Sequence, residues 1–397
     1  MTQPVVVAGV GMIPFSKPGT SESYEVMGAK ALRAALIDAD VRYADIQHVY
    51  AGYVYGDSTC GQAVAYQAGL TGVPVINVNN NCSTGSTALW LAHQAVAGGA
   101  ADCVLAVGFE QMNSGALHAS FADRVNPLAR FLETLGQHQD LDPKAPLAAQ
   151  FFGGAGEAYR DEFGLAAATL AQIAVKARRH AASNPYAVFR TPVSAEEVLG
   201  SAHIWGPLTR LMCCPPTCGA AAAVVMSAEF AARSKIENAV AIRAQALTTD
   251  TEATFAGDRR SLVGFDMAAE AARRVYESAG VGPEDIDVVE LHDCFTSNEL
   301  IAYEALGLTP VGTAEKFVTG RDNTYGGRVV TNPSGGLLSK GHPLGATGLA
   351  QCAELVWQLR GEAGPRQVEG ARLALQHNLG LGGACVVTLF ESSGRAA

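Results

Sequence analysis

The sequence predicts an α/β fold made of two similar halves, each a mostly parallel sheet covered by helices on both faces, with a loop-rich subdomain inserted into the first half. Three observations carry this reading. Buried-strand runs alternate with amphipathic helices over residues 5–108. The same order of motifs returns after residue 236. Between them, residues 113–209 are broken up by Pro127, Pro143, Pro146, Pro185, Pro192 and Pro207. The predicted limits are 1–112 for the first half, rejoined by 210–235, then 113–209 for the insertion and 236–397 for the second half.

Residues 5–10 (Val-Val-Val-Ala-Gly-Val) form an apolar, β-branched run that reads as a buried strand. The run ends in Gly9-x-Gly11, but no third glycine opens a helix and no acid follows, so the pair reads as a turn instead of a dinucleotide fingerprint. Residues 24–38 have the spacing of an amphipathic helix, and 46–54 that of a strand. A short strand over 73–78, a turn at Asn79-Asn80-Asn81 and a helix over 87–96 follow, and residues 101–108 form another buried strand. Within the insertion the expected helices are short and amphipathic. Residues 219–227 return as an Ala/Val strand able to rejoin the first sheet.

The second half answers the first. Ala239-Val-Ala-Ile matches the opening strand, and residues 284–291 match 44–51. Cys82-Ser-Thr-Gly-Ser-Thr-Ala-Leu89 aligns without a gap to His342-Pro-Leu-Gly-Ala-Thr-Gly-Leu349, sharing Gly, Thr and Leu. A helix and then a buried strand follow each copy. The chain is an internal duplication.

Composition narrows the function. The 397 residues are 48% hydrophobic and 17% charged, as in a globular enzyme of two or three domains. A net charge of −10 argues against a general nucleic-acid surface, so an anionic ligand needs a local basic patch. The best one is Lys176, Arg178 and Arg179 with Arg190, which reads either as a solvated helix face or as a phosphate site. The nine cysteines have no framework spacing, and Cys213-Cys214-x3-Cys218 lacks a second ligand pair. This predicts free thiols in a reducing, cytoplasmic setting and no metal. The N-terminus has no basic n-region, and the longest apolar run, 219–226, is too short to span a bilayer.

The chemistry gathers around Cys82. It lies between a strand and a helix, near the positive end of the helix dipole, where a thiol pKa is expected to fall. The duplication places His342 at the equivalent helix start, so a pseudo-twofold can bring the two ends face to face as nucleophile and base. Leu291-His292-Asp293-Cys294-Phe295 follows the predicted strand 286–290, where α/β sites are built. Residues 332–348 are glycine-dense, and His377-Asn378-Leu379-Gly380-Leu-Gly382-Gly383 offers backbone N–H donors.

The Cys-Ser at Cys82, the His-Asp-Cys-Phe at His292 and the Gly-His-Pro at His342 together resemble the thiolase superfamily, and more narrowly its sterol-carrier-protein-type (lipid-transfer-protein) branch. The resemblance runs along essentially the whole chain, including Asn184-Pro-Tyr186 and Gln376-His-Asn-Leu-Gly380. It implies thiolase-like β-α-β-α-β-α-β-β halves about a pseudo-twofold, layered α-β-α-β-α. It also implies thiolytic cleavage of 3-ketoacyl-CoA through an acyl-cysteine, with CoA as co-substrate and no permanently bound cofactor. By the same match Cys82 is the nucleophile, His342 the base and an oxyanion donor, and His292 a second donor. Cys294 is the acid/base, standing in for the usual later cysteine that is Asn378 here, and Gly380 supplies a backbone oxyanion donor. Lys176, Arg178, Arg179 and Arg190 are the expected CoA contacts. The family match further implies a homodimer or dimer of dimers, and a partner protein of lipid degradation is compatible with it. No fused sterol-carrier domain or Ser-Lys-Leu signal is seen before Ala397. The rival readings are a retro-aldol carbon–carbon lyase and a non-catalytic acyl-CoA-binding subunit.

Overall fold

The computed structural model describes residues 3–115, 121 and 123–392. The extreme termini, on which the reading of targeting signals rests, and part of the insertion lie outside them. The first half contributes strands β1 (Val5–Met12), β2 (His48–Gly52), β3 (Val75–Val78) and β4 (Cys103–Glu110). A two-stranded ribbon, β5 (His203–Trp205) and β6 (Leu208–Thr209), stands apart in the insertion, and β7 (Gly219–Ser227) completes the first half. The second half supplies β8 (Val240–Thr248), β9 (Val288–Glu290), β10 (Val330–Thr331), β11 (Leu373–Gly380) and β12 (Ala384–Glu391).

Ten of these strands form one hydrogen-bonded sheet in the order β10-β9-β11-β12-β8-β1-β7-β4-β2-β3. Read outward from the β1/β8 junction, both halves have the same order. The junction pairs Val5 with Ile242 and Val7 with Val240 in antiparallel register, so the pseudo-twofold passes between these strands. Within each half four strands run one way and the fifth, β7 or β12, is reversed between antiparallel neighbours. The expected mostly parallel direction therefore holds, with one reversed strand per half.

Local chemistry explains the elements. The strand β4 is buried along its whole length because helices cover both faces, and this matches its unbroken Val/Leu/Ala run. The Gly9-x-Gly11 pair is not the turn expected from sequence. Both glycines lie inside β1, where a Cβ on Gly9 would stand 2.5 Å from Ala35 O and one on Gly11 2.2 Å from Ala31 O. They are there to let the helix Tyr24–Asp38 settle directly on the strand.

The insertion also differs from its expected short helices. Leu147–Phe163 and Ala167–Ala181 are 17 and 15 residues long and bury one face each. Gly153, Gly154 and Gly156 do not break the first of them, because helix packing outweighs their weak intrinsic propensity. No helix among the described residues is long and apolar enough to cross a membrane.

Candidate active site

The helix Thr84–Ala97 starts two residues after Cys82, and its counterpart Thr347–Arg360 starts five after His342. These two N-terminal ends meet across the pseudo-axis. A Cβ on Gly85 would lie 2.8 Å from Gly345 O, so the two aligned glycines touch. Nothing larger fits, and this contact fixes how far apart the thiol and the imidazole sit. The ligand atoms of Cys82, His292 and His342 all lie within 4.8 Å of one another. The rings of His292 and His342 stand edge to face, with centroids 5.1 Å apart.

Hydrogen bonds set a different tautomer on each histidine. Thr347 donates its hydroxyl proton to Pro343 O (3.0 Å), so at 2.7 Å it accepts from His342 Nδ1–H. The Nε2 of His342 is then the bare nitrogen, buried and without a hydrogen-bond partner among the described residues. That atom has a lone pair free to accept a hydrogen bond or a proton. Asn378, with its Nδ2 facing the ring, donates to His292 Nδ1 at 3.0 Å. The His292 proton is thereby placed on Nε2, which makes that nitrogen a donor. One imidazole is arranged to take a proton and the other to give a hydrogen bond.

The electrostatics correct the sequence expectation for Cys82. The helix dipole was expected to lower its pKa, but burial dominates and pushes the thiol up to about 12. Burial also holds His342 down to about 3 and His292 well below the usual imidazole range. The resting pair is therefore a neutral thiol beside a neutral imidazole.

Cys294 is buried at the end of β9, outside the 4.8 Å group. Burial raises its thiol well above the ordinary value, and charge on Cys214 and Cys82 adds to this, so the three sulfurs share one environment. The Cys213–Cys218 segment threads between the loops that carry Cys294 and His342: Cys214 N donates to Cys294 O (2.9 Å), and Pro216 bridges to His342. Gly380 packs against the turn that carries Cys82, where a Cβ would stand 2.3 Å from Asn80 O.

The cationic residues separate. Lys176 is not on a solvated face and cannot reach a phosphate. It is 5% exposed, ion-paired to Glu299 and hydrogen-bonded to Thr331 Oγ1 at 2.6 Å. Sequence periodicity could not reveal this, because Glu299 lies far along the chain. Arg178 stacks over the Phe189 ring, with its guanidinium 4.5 Å from the centroid, while Arg179 and Arg190 are exposed. Phe189 N donates to Ser339 O, so this patch lies beside the segment leading to His342.

Three supporting residues were missed as such from sequence. Thr347 had a signal, its match to Thr87, which likewise accepts from Asn80 Nδ2 at 3.1 Å. Asn378 was noticed only as a departure from the family pattern. Glu110 gave no signal, yet its carboxylate accepts from Val54 N (3.0 Å) and Tyr55 N (2.9 Å) of one half and Gly345 N (3.0 Å) of the other.

Residues 5–229 match the family described as "Thiolase, N-terminal domain", and residues 249–390 match "Thiolase C-terminal domain-like". The chain belongs to the thiolase family. Sterol carrier protein 2 of Oryctolagus cuniculus is 54% identical to this chain over 394 residues, covering 98% of this chain and 72% of that protein. Among solved structures, one described as "Ltp2-ChsH2(DUF35) aldolase" has a TM-score of 0.83 at 24% identity, covering 99% of this chain and 98% of that one. Human mitochondrial 3-ketoacyl-CoA thiolase in complex with CoA has a TM-score of 0.73 at 18% identity, with the same coverage of both chains. At these identities the two structures show the fold alone. The duplicated, layered architecture is that of a thiolase.

Two predictions test the supporting residues of this site. Asn378→Leu frees His292 Nδ1 and lets the ring take the other tautomer. We expect kcat to fall about 10–100-fold with the KM for CoA little changed, as when an orienting partner of an active-site imidazole is lost. Steady-state kinetics against both substrates check this.

Glu110 bears on stability. Burial pushes its carboxyl from 4.5 up to about 7, even though three backbone donors favour the anion. A pKa raised on folding means its stabilising contribution is complete below about pH 4.5 and is lost as pH rises through about 7. Glu110→Gln removes that titration. Between about pH 5 and 8 the unfolding free energy of the wild type is expected to drop relative to the variant by about 3 kcal/mol, readable from denaturant curves.

Proposed function

We propose that this chain cleaves 3-ketoacyl-CoA by thiolysis through an acyl group carried on Cys82. The observation that carries the reading is the approach of Cys82, His292 and His342 to within 4.8 Å, with a bare nitrogen on one imidazole and a proton on the other. In this scheme His342 Nε2 takes the Cys82 proton as the sulfur attacks the C3 ketone. The tetrahedral oxygen is held by the N–H groups of Cys82 and Gly380. As the Cα–Cβ bond breaks, the enolate oxygen is held by His292 Nε2–H and the newly protonated His342. Cys294 protonates the departing carbon, releasing acetyl-CoA or propionyl-CoA, and then takes the proton from the incoming CoA thiol. CoA attacks the acyl-cysteine and leaves with the shortened chain.

The phosphates of CoA would lie against Arg178, Arg179 and Arg190. None of the three has a carboxylate partner among the described ion pairs. Replacing Arg178 and Arg190 together by Ala is expected to raise the KM for CoA roughly tenfold with kcat nearly unchanged, since the contact is made equally in ground and transition states. A homodimer is part of this reading. Among the described residues the edge strand β3 has only β2 as a neighbour and leaves Ile76 39% exposed, as a strand awaiting a second copy would.

The test is a 3-ketoacyl-CoA assay run with and without free CoA. Thiolysis predicts acetyl-CoA or propionyl-CoA release that requires CoA for every turnover after the first. Release of an aldehyde or ketone without CoA would support the retro-aldol reading, and no release at all the non-catalytic one.

A further inference from the structure

The donor atoms of Cys82, His292 and His342 surround one point. Among the described residues these are the one group of three such side chains whose ligand atoms all lie within 4.8 Å of one another. Four-coordinate zinc, with Zn–S at ~2.3 Å and Zn–N at ~2.0–2.1 Å, needs its sulfur and nitrogen ligands about 3.4–3.6 Å apart. Each of the three atoms therefore has to move inward by less than about 1 Å to close on an ion.

The contacts behind the rings are those of metal-binding histidines, which bind through one nitrogen and donate the other N–H to an oxygen. His342 already has that arrangement, with Nδ1–H donating to Thr347 Oγ1 and Nε2 bare. His292 reaches it by one local change. Turning the Asn378 amide over brings its Oδ1, which has no hydrogen-bond partner among the described residues, to the place where Nδ2 now faces His292 Nδ1 at 3.0 Å. The ring proton then moves from Nε2 to Nδ1, donates to that oxygen and leaves Nε2 free for an ion. Cys82 is half-buried while both imidazoles are enclosed, so the thiol side is the way in.

We infer that these three side chains form a site for one borderline-soft divalent cation, zinc above all, and that the bound ion holds the chain in an inactive state. One sulfur and two imidazole nitrogens suit zinc and disfavour magnesium and calcium, which take oxygen ligands. Binding replaces the Cys82 S–H bond by a sulfur–zinc bond and releases the proton to solvent, with water in the fourth position and no electron transferred. The ion occupies both the sulfur and His342 Nε2, so neither can act on a substrate. Spacing along the chain predicts no metal here, because the three donors come from separate loops that only the fold brings together.

The experiment titrates the metal-free wild type with cobalt(II), a spectroscopic probe of the same donor set, and then with zinc. One cobalt per chain is expected, with a sulfur-to-cobalt charge-transfer band and the intense visible bands of a four-coordinate site, displaced by one equivalent of zinc. The charge-transfer band should vanish in Cys82→Ala, and zinc should bind at least about tenfold more weakly to Cys82→Ala and His342→Ala. Cys214→Ala, which removes a neighbouring sulfur outside the group, should bind as the wild type does. Should the ligand variants not fold, the wild type decides alone: zinc must protect Cys82 from alkylation, read by peptide mapping, and magnesium must not. No stoichiometric cobalt, a band that persists in Cys82→Ala, or one lost in Cys214→Ala overturns the site. Inhibition is read from the half-reaction with 3-ketoacyl-CoA and no free CoA, whose thiol would compete for zinc. Release of acetyl-CoA or propionyl-CoA should stop at one zinc per chain and return on chelation; unchanged release at full occupancy overturns the inactive state. If the metal-free wild type releases neither, the thiolase reading fails, and the site is still judged by the titrations.

Discussion

Cys82→Ala is expected to lower kcat for thiolysis by roughly 10⁴- to 10⁶-fold, the scale at which loss of a nucleophile that acts with a base removes the covalent route. The size follows from the site. Cys214 and Cys294 lie in the same buried environment, but neither joins Cys82, His292 and His342 in the group whose ligand atoms lie within 4.8 Å of one another. They cannot inherit the role. Substrate binding should survive, because the arginine patch is untouched, and equilibrium binding of a thioester with measured turnover checks both halves of this prediction.

His342→Ala is the second large effect, about 10³- to 10⁴-fold in kcat, because one side chain acts as base in the first step and as donor in the next. A thiol held at about 12 cannot ionise by itself near neutrality, so without Nε2 the attack has no proton acceptor. The same values give the pH dependence. With His342 near 3 and His292 well below its usual range, neither imidazole charges between about pH 5 and 8. The wild-type profile of kcat/KM should therefore lack an acid limb at the ordinary histidine pKa of about 6.5. A limb that midpoints there and disappears in His342→Ala would show that the resting imidazole is not neutral.

The pairing at the centre of the site was legible because it is written twice. Cys82 and His342 start aligned copies of one motif, and a twofold between copies leaves few places for their helix ends other than face to face. His292 and Cys294 were legible from their place directly after a strand. Burial was not legible. The dipole argument for Cys82 considered the helix and omitted the apolar surroundings that outweigh it. Lys176 misled for a related reason: on its own helix it joins a basic run, and only the fold supplies Glu299. Gly9 and Gly11 read as a turn because a helix lying against a strand is a long-range event. Glu110 shows the same limit, since its three donors come from two halves of the chain.

The central claim is that an acyl group rests on Cys82. Incubation of the wild type with a 3-ketoacyl-CoA in the absence of free CoA, followed by intact mass and peptide mapping, addresses it directly. The account predicts one equivalent of the shortened acyl group on the peptide containing Cys82, matched by one equivalent of released acetyl-CoA or propionyl-CoA, and no adduct on Cys82→Ala. Turnover of the thioester with Cys82 unmodified, or an adduct that persists in Cys82→Ala, would contradict it.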